Sequence, residues 1–152
     1  MTLQSRVSIM TMCDAVCAAL GQAPSIVTAQ SYDEVSEGIP DTPALQVTFA
    51  SSIVDAATDN DRRTFGAEVR QSAYEILVTV YAKRRADLRE DLRWQHLVLD
   101  ELEAQLEAQD TCPPFGIVGC KSFRWATTRG VIQYEDGNDY VGGEIVVTLG
   151  FH

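Results

Sequence analysis

Histidine and cysteine carry much of the chemistry that proteins perform near neutral pH, and this chain has two histidines and four cysteines. His96 lies in the middle of a predicted helix, and His152 is the last residue of the sequence. No serine or cysteine stands in a nucleophile motif such as Gly-x-Ser-x-Gly. The sequence therefore predicts no catalytic residue and no enzyme, and an ordinary solvated histidine is favoured at both positions.

The spacing of the cysteines matches neither a zinc site nor a disulfide framework. Cys13 and Cys17 are four residues apart on a predicted helix, while Cys112 and Cys120 flank a Pro-Pro-Phe-Gly turn across which they could meet. Both spacings match zinc-finger and zinc-ribbon patterns poorly, since those patterns join two closely spaced pairs of Cys or His ligands. Buried free thiols are the favoured interpretation for all four, and neither a metal nor a cofactor is expected.

Other ligand-binding motifs are incomplete. The acidic loops at residues 59–61 and 136–139 lack the full calcium-loop pattern, so ordinary turns are favoured there. No Walker loop or Gly-x-Gly-x-x-Gly follows a predicted strand, and Gly142-Gly143 precedes a strand instead of a helix. A small cytoplasmic enzyme or ligand-binding domain with a site made of carboxylates alone is the alternative from another functional class.

Length and composition favour one ordinary globular domain, residues 1–152. Hydrophobic residues make up 45% of the chain and charged residues 22%, enough for a core of its own. Twelve Lys and Arg against 22 Asp and Glu give a net charge of -10. This balance argues against a general nucleic-acid binder and against docking on an anionic membrane. Asp14 interrupts the apolar run nearest the N-terminus, so a cytoplasmic protein without a signal peptide is expected.

Apolar periodicity predicts two helices. The first spans residues 2–20, with an apolar stripe made of Leu3, Val7, Met10, Cys13, Cys17 and Leu20. The second begins at Asp87, which with Glu90 forms the aspartate version of a capping box. Its predicted core stripe consists of Leu88, Leu92, Leu99, Leu102 and Leu106, widened by Trp94 and Val98.

Alternating apolar and polar residues predict four strands, at residues 45–49, about 70–82, 117–126 and 141–151. The first two are expected to pair as an antiparallel hairpin, and a further short strand is considered near residues 26–27. The element order is α-β-β-α-β-β. The predicted fold is therefore an α+β two-layer sandwich, a mainly antiparallel four-stranded sheet with two helices packed on one face.

Charge is distributed unusually along the second helix. Lys83, Arg84 and Arg85 precede it and two arginines follow early, whereas Asp100, Glu101, Glu103 and Glu107 occupy its later turns. The helix dipole favours the reverse order, and each misplaced charge costs a few tenths to about 1 kcal/mol. A basic end and an acidic end on one helix suit head-to-tail association of subunits, although unremarkable surface charge explains the pattern equally well.

The whole pattern resembles the tail-terminator, or tail-completion, proteins of long-tailed bacteriophages and related head–tail joining proteins. The similarity lies in chain length, in element order, and in the opening helix that leads through a polar stretch into a long hairpin. Tyr74-Glu-Ile-Leu-Val-Thr-Val-Tyr81 then precedes charged residues and the leucine-rich helix. Asp139-Tyr-Val-Gly-Gly-Glu-Ile-Val-Val-Thr-Leu149 resembles the entry of that family into its last strand.

The resemblance implies a structural role in the virion, at the head-proximal end of the tail, after assembly in the host cytoplasm. Such proteins form homo-oligomeric rings, commonly hexamers, that stop polymerisation of the major tail tube protein and meet the head connector or neck proteins. A head-completion or neck protein of the same virion is the nearest alternative. The long hairpin, its loop and the charged helix are the expected ring contacts, with these candidates: Asp59, Asp61, Arg62, Arg63, Lys83, Arg84, Arg85, Asp100, Glu101 and Glu103.

DNA passes through the lumen of such a ring without specific binding. Carboxylates that face the lumen repel phosphates over about one Debye length, ~8 Å at physiological salt. The net charge of -10 agrees with that role, and equally with a simple need for solubility.

Overall fold

The helices and strands come from a computed structural model that describes residues 8–31, 41–54, 72–111, 113–133 and 137–151. They follow one another as α1 (Ile9–Leu20), β1 (Thr28–Gln30), β2 (Ala44–Val54), β3 (Ser72–Arg84), α2 (Leu88–Glu107), β4 (Cys120–Gln133) and β5 (Asp139–Phe151). A 3-10 turn, Pro114–Gly116, lies between α2 and β4. The predicted α+β class is confirmed.

The sheet has five strands in the order β1-β2-β3-β5-β4, and it is mixed. The predicted hairpin of β2 and β3 is confirmed as an antiparallel pair, and β5 continues the antiparallel pattern to β4. The prediction of four strands is wrong, because β1 adds a parallel edge strand beside the start of β2. The short strand considered near residues 26–27 lies two residues later, at Thr28–Gln30, since three half-buried residues show too little alternation to fix its bounds from the sequence.

One face of the sheet is buried and forms one side of the hydrophobic core. The register aligns Val47, Val78 and Ile145 in a row across three strands, and all three side chains are fully buried. Both helices pack on this face, where full burial of each such side chain contributes about 1.5–3 kcal/mol. The helical residues of this core include Met12, Val16, Leu20, Val98, Leu99, Leu102 and Leu106.

Helix α1 begins at a side-chain cap. The Ser8 hydroxyl accepts hydrogen bonds from the backbone N–H groups of Met10 and Thr11. The predicted burial of Cys13, Cys17 and Leu20 is confirmed, but Met10 is 55% exposed, and Met12 and Val16 face the core instead. The other members of the predicted stripe, Leu3 and Val7, lie outside the described residues.

Helix α2 begins at Asp87 as predicted, with the aspartate side chain accepting from the N–H of Arg89. Its predicted stripe is wrong over the first two turns, where Leu88, Leu92 and Trp94 are exposed. The later core positions are confirmed. The core-facing positions of the first turns hold Asp91 and Gln95, because their partners at that end of the sheet are a lysine and two backbone carbonyls.

Strands β4 and β5 form a longer pair than the alternation predicts. Their register runs from Cys120 beside Phe151 to Gln133 beside Asp139. The predicted turn near residues 136–138 fits Gly137, whose φ of 84° lies in the left-handed region that glycine tolerates. Among the described helices, none is long and apolar enough to cross a bilayer.

Candidate interaction surface

The ten residues predicted to lie between subunits fall into three groups. Four of them, Asp59, Asp61, Arg62 and Arg63, come between β2 and β3 in the sequence and lie outside the described residues. Three cations stand at the end of β3 or just after it, and three carboxylates stand in the second half of α2. Of the described six, the three cations therefore lie before α2 and the three carboxylates lie within its second half.

Lys83 turns toward the helix layer. Its Nζ lies 2.8 Å from Oδ1 of Asp91, a side chain that is only 2% exposed, and the same carboxylate accepts from the N–H of Ala86. The hydrogen bond to Asp91 raises the pKa of Lys83. Donation by Lys83, together with the N–H of Ala86, holds the pKa of Asp91 below its usual range. This lysine joins β3 to α2 within the subunit.

The next two cations of the group face outward. Arg84 donates through Nη2 to Oδ1 of Asn138 at 2.6 Å, and the backbone N–H of Arg85 donates to the carbonyl of Asp139 at 2.9 Å. Both arginine side chains are exposed. The junction of β3 with β5 therefore presents two cations to solvent, and these can reach a neighbouring molecule.

Arg129 of β4 reaches the acidic half of α2. Its Nη2 lies 2.9 Å from Oδ1 of Asp100 and 3.4 Å from Oε1 of Glu103, while its Nη1 lies 2.7 Å from Nδ1 of His96. A guanidinium can only donate, so Nδ1 of the imidazole accepts in this contact. The sequence gives no sign of this cluster, because Arg129 is remote in the chain and only the sheet places β4 beside the helix.

Glu101 has a different partner on the other flank of α2. Its two carboxylate oxygens accept from the backbone N–H of Ser25 at 2.9 Å and from the Ser25 hydroxyl at 2.8 Å. These two hydrogen bonds hold the segment after α1 against the middle of α2. All three predicted acidic contact residues thus have partners within the chain, and their role between subunits stays a prediction.

The helix approaches the sheet closely where two strands carry glycine. Gln95 is buried, and its Nε2 donates to the carbonyls of Gly142 at 2.9 Å and Gly130 at 3.2 Å. A Cβ at Gly143 would lie 3.2 Å from Cδ1 of Leu99. The sequence identifies Gly142-Gly143 only as a bulge or hinge, whereas in the structure α2 packs closely against the sheet at these two glycines.

Two sheet edges are open among the described residues. The outer edge of β4 has no strand partner over fourteen residues, and β1 covers the outer edge of β2 only at residues 44–46. Long open edges offer unpaired N–H and C=O groups to another chain, and natural proteins normally shorten or cover them. These two edges lie at opposite sides of the sheet and differ in sequence.

Chemical groups suited to catalysis are scarce in the described part of the chain. No three His, Cys, Asp or Glu side chains there come together in a way that could hold a metal ion. Cys13, Cys17 and Cys120 are buried thiols, and Cys112 lies outside the described residues. Burial, with the nearby Asp14 charge, raises the pKa of Cys13 to about 11, and burial also raises the pKa of Cys120. Such thiols are protonated and poor nucleophiles at neutral pH.

Comparison of the chain with protein-family models and with curated protein sequences gave no match.

Proposed function

We propose that this protein is a ring-forming virion assembly protein of the phage tail-terminator type. It stops growth of the tail tube and joins the tail to the head connector. The observation that carries the proposal is a pair of unlike edges that no other described strand covers, β4 on one side of the sheet and residues 47–54 of β2 on the other. A contact between two different edges is head-to-tail, and head-to-tail contacts close into a ring when the rotation between neighbours is a whole fraction of a full turn.

The strand directions favour this contact. Three successive antiparallel pairings make β4 run opposite to β2 within one subunit. A neighbour rotated about an axis roughly along the strands keeps its own direction, so its β2 would meet β4 in antiparallel register. Main-chain hydrogen bonds would then continue the sheet from subunit to subunit, as in other cases of strand addition.

Surface charge supports two further parts of the proposal. Arg84 and Arg85 offer cations to the neighbouring subunit at the end of β3. The sheet face turned away from both helices carries Glu75 and Glu144, which would present carboxylates to DNA passing through a lumen. We therefore propose that DNA passes through the lumen without specific binding. The tube and connector proteins would bind the two ends of the ring.

Tail assembly in the absence of the protein tests the role. We expect tubes of uncontrolled length when the protein is missing and tubes of uniform length when it is added, both measured by electron microscopy. Tubes of equal length with and without the protein would refute the proposal. A head-completion or neck protein would instead leave tube length unchanged and block the joining of finished tails to filled heads.

Charge variants test the contact itself. The double variant R84E/R85E should fold normally and fail to cap tubes, while R84Q/R85Q, which removes charge without reversing it, should be less impaired. Capping by R84E/R85E at the wild-type level would exclude these arginines from the ring contact.

A further inference from the structure

Six charged or titratable residues of α2 form one exposed stripe. Arg89, Arg93, His96, Asp100, Glu103 and Glu107 follow one another at steps of four, three, four, three and four residues. This spacing keeps side chains on the same side of a helix. Five of the six are exposed and Glu103 is 27% exposed, and none of them is among the buried positions of the helix. We refer to this set as the charged stripe.

The order of charges along the charged stripe is self-complementary. Beside an antiparallel second copy in register, Arg89 faces Glu107 of that copy, and Arg93 faces its Glu103. His96 faces Asp100 of the second copy, and each pairing occurs twice because the contact is two-fold symmetric. In a parallel arrangement each residue would face itself, so that like charges would meet. The stripe therefore selects one orientation.

The charge balance around the stripe also allows two copies of the chain to approach each other there. Two copies of a chain with a net charge of -10 repel one another over most of their surfaces. Around the charged stripe, however, Arg129 lies against Asp100 and Glu103, so three arginines stand beside three carboxylates. Opposed helix directions also place the positive end of the dipole of one α2 beside the negative end of the dipole of the other, which is favourable.

The hydrogen bond from Arg129 fixes which ring nitrogen of His96 carries the proton in the neutral form. Because Nδ1 of His96 accepts from Arg129, the proton of the neutral ring resides on Nε2. That N–H is a donor suited to a carboxylate such as Asp100 of the second copy. Every pair across the two-fold axis then joins a donor to an acceptor.

We infer that the charged stripe of α2 is a docking surface for a second copy of this chain, paired antiparallel about a two-fold axis. The surface differs from the edge contact between β4 and β2 proposed above, although Asp100 and Glu103 are also among the predicted ring contacts, and it does not depend on the phage role. A stripe about 27 Å long is small beside stable interfaces, which bury roughly 1,200–2,000 Å². We therefore expect a weak dimer that forms at low salt and dissociates as salt screens its charges.

Sedimentation equilibrium of the purified protein provides the test, at about 20 mM and about 500 mM salt. The wild type should dimerise at low salt. The variant R89E/R93E should bind itself about tenfold more weakly or worse, because reversing two residues sets like charges opposite each other at four places in the dimer. The control K121E/R124E changes the net charge by the same amount at exposed positions of β4, outside the charged stripe, and should dimerise more strongly than R89E/R93E. Circular dichroism verifies that each variant is folded.

A mixing experiment identifies the partner surface. The variant E103R/E107R should also lose self-association, and an equimolar mixture with R89E/R93E should recover a dimer, since opposite charges again face each other in the heterodimer. A monomeric wild type at low salt would overturn the inference. So would equal dimerisation of R89E/R93E and the control, or a mixture that stays monomeric. None of these results bears on tube capping, which is measured with tails.

Discussion

Lys83 and Asp91 face each other across the junction of β3 and α2, with Nζ and Oδ1 2.8 Å apart and the carboxylate 2% exposed. The pair is the polar counterpart of the apolar contacts that hold the rest of α2 on the sheet. Asp91 is shielded from water whereas Lys83 is 25% exposed, and removing either one leaves the other without its charge complement and destabilises the fold.

Asp91→Asn should lower the thermal midpoint of unfolding, because Lys83 loses its anionic acceptor. The carboxyl pKa is lowered in the folded state, so the contribution of this group is present above the ordinary aspartate range and is lost as pH falls through the folded value. Urea unfolding of the wild type and the variant between about pH 3 and pH 7 measures the difference between their free energies of unfolding, which should shrink in acid. A gap that widens in acid would contradict the assigned direction.

Leu99→Ala should destabilise the fold by about 2–5 kcal/mol, because Leu99 is fully buried between the helix and the sheet. Leu92→Ala, on the same helix, is the matched control. Leu92 is 42% exposed, so its loss should cost less than about 1 kcal/mol. Denaturant unfolding measures both variants, and equal losses would mean that the buried and exposed faces of α2 are misassigned.

Gly142→Ala should destabilise by about 1–3 kcal/mol, since the new methyl group would collide with the Val80 carbonyl of the adjacent strand. Gly130 pairs with Gly142 in the β4–β5 ladder, and a Cβ there meets nothing within 4 Å. Gly130→Ala should therefore unfold at nearly the wild-type denaturant concentration. Similar unfolding midpoints for the two variants would show that β3 does not approach β5 as closely at this point.

Thiol labelling tests the buried cysteines. In a Cys112→Ser background the remaining thiols, Cys13, Cys17 and Cys120, are buried, and the pKa of Cys13 is raised to about 11. At pH 8 the folded protein should react with a thiol reagent far more slowly than the urea-unfolded protein. Rapid labelling without denaturant would contradict the packing of α1 against the sheet.

The amino-acid order alone determined the faces of the main strands and the start of α2. Alternation along β3 places Ile76 and Val78 on one face, and Asp87 caps the helix through its own backbone neighbours. Both are local effects, set by side chains a few residues apart. For the same reason the α+β class could be predicted.

Contacts between distant segments could be decided only by the tertiary structure. Whether Leu92 or Gln95 faces the core depends on what lies beneath that turn, and the glycine carbonyls there come from β4 and β5. Arg129 meets Asp100 because β4 lies beside β5 at the sheet edge, and β1 becomes a strand only through its parallel register with β2. Periodicity shows which face a side chain takes, but the identity of its neighbour follows from strand order and register, which join residues far apart in the chain.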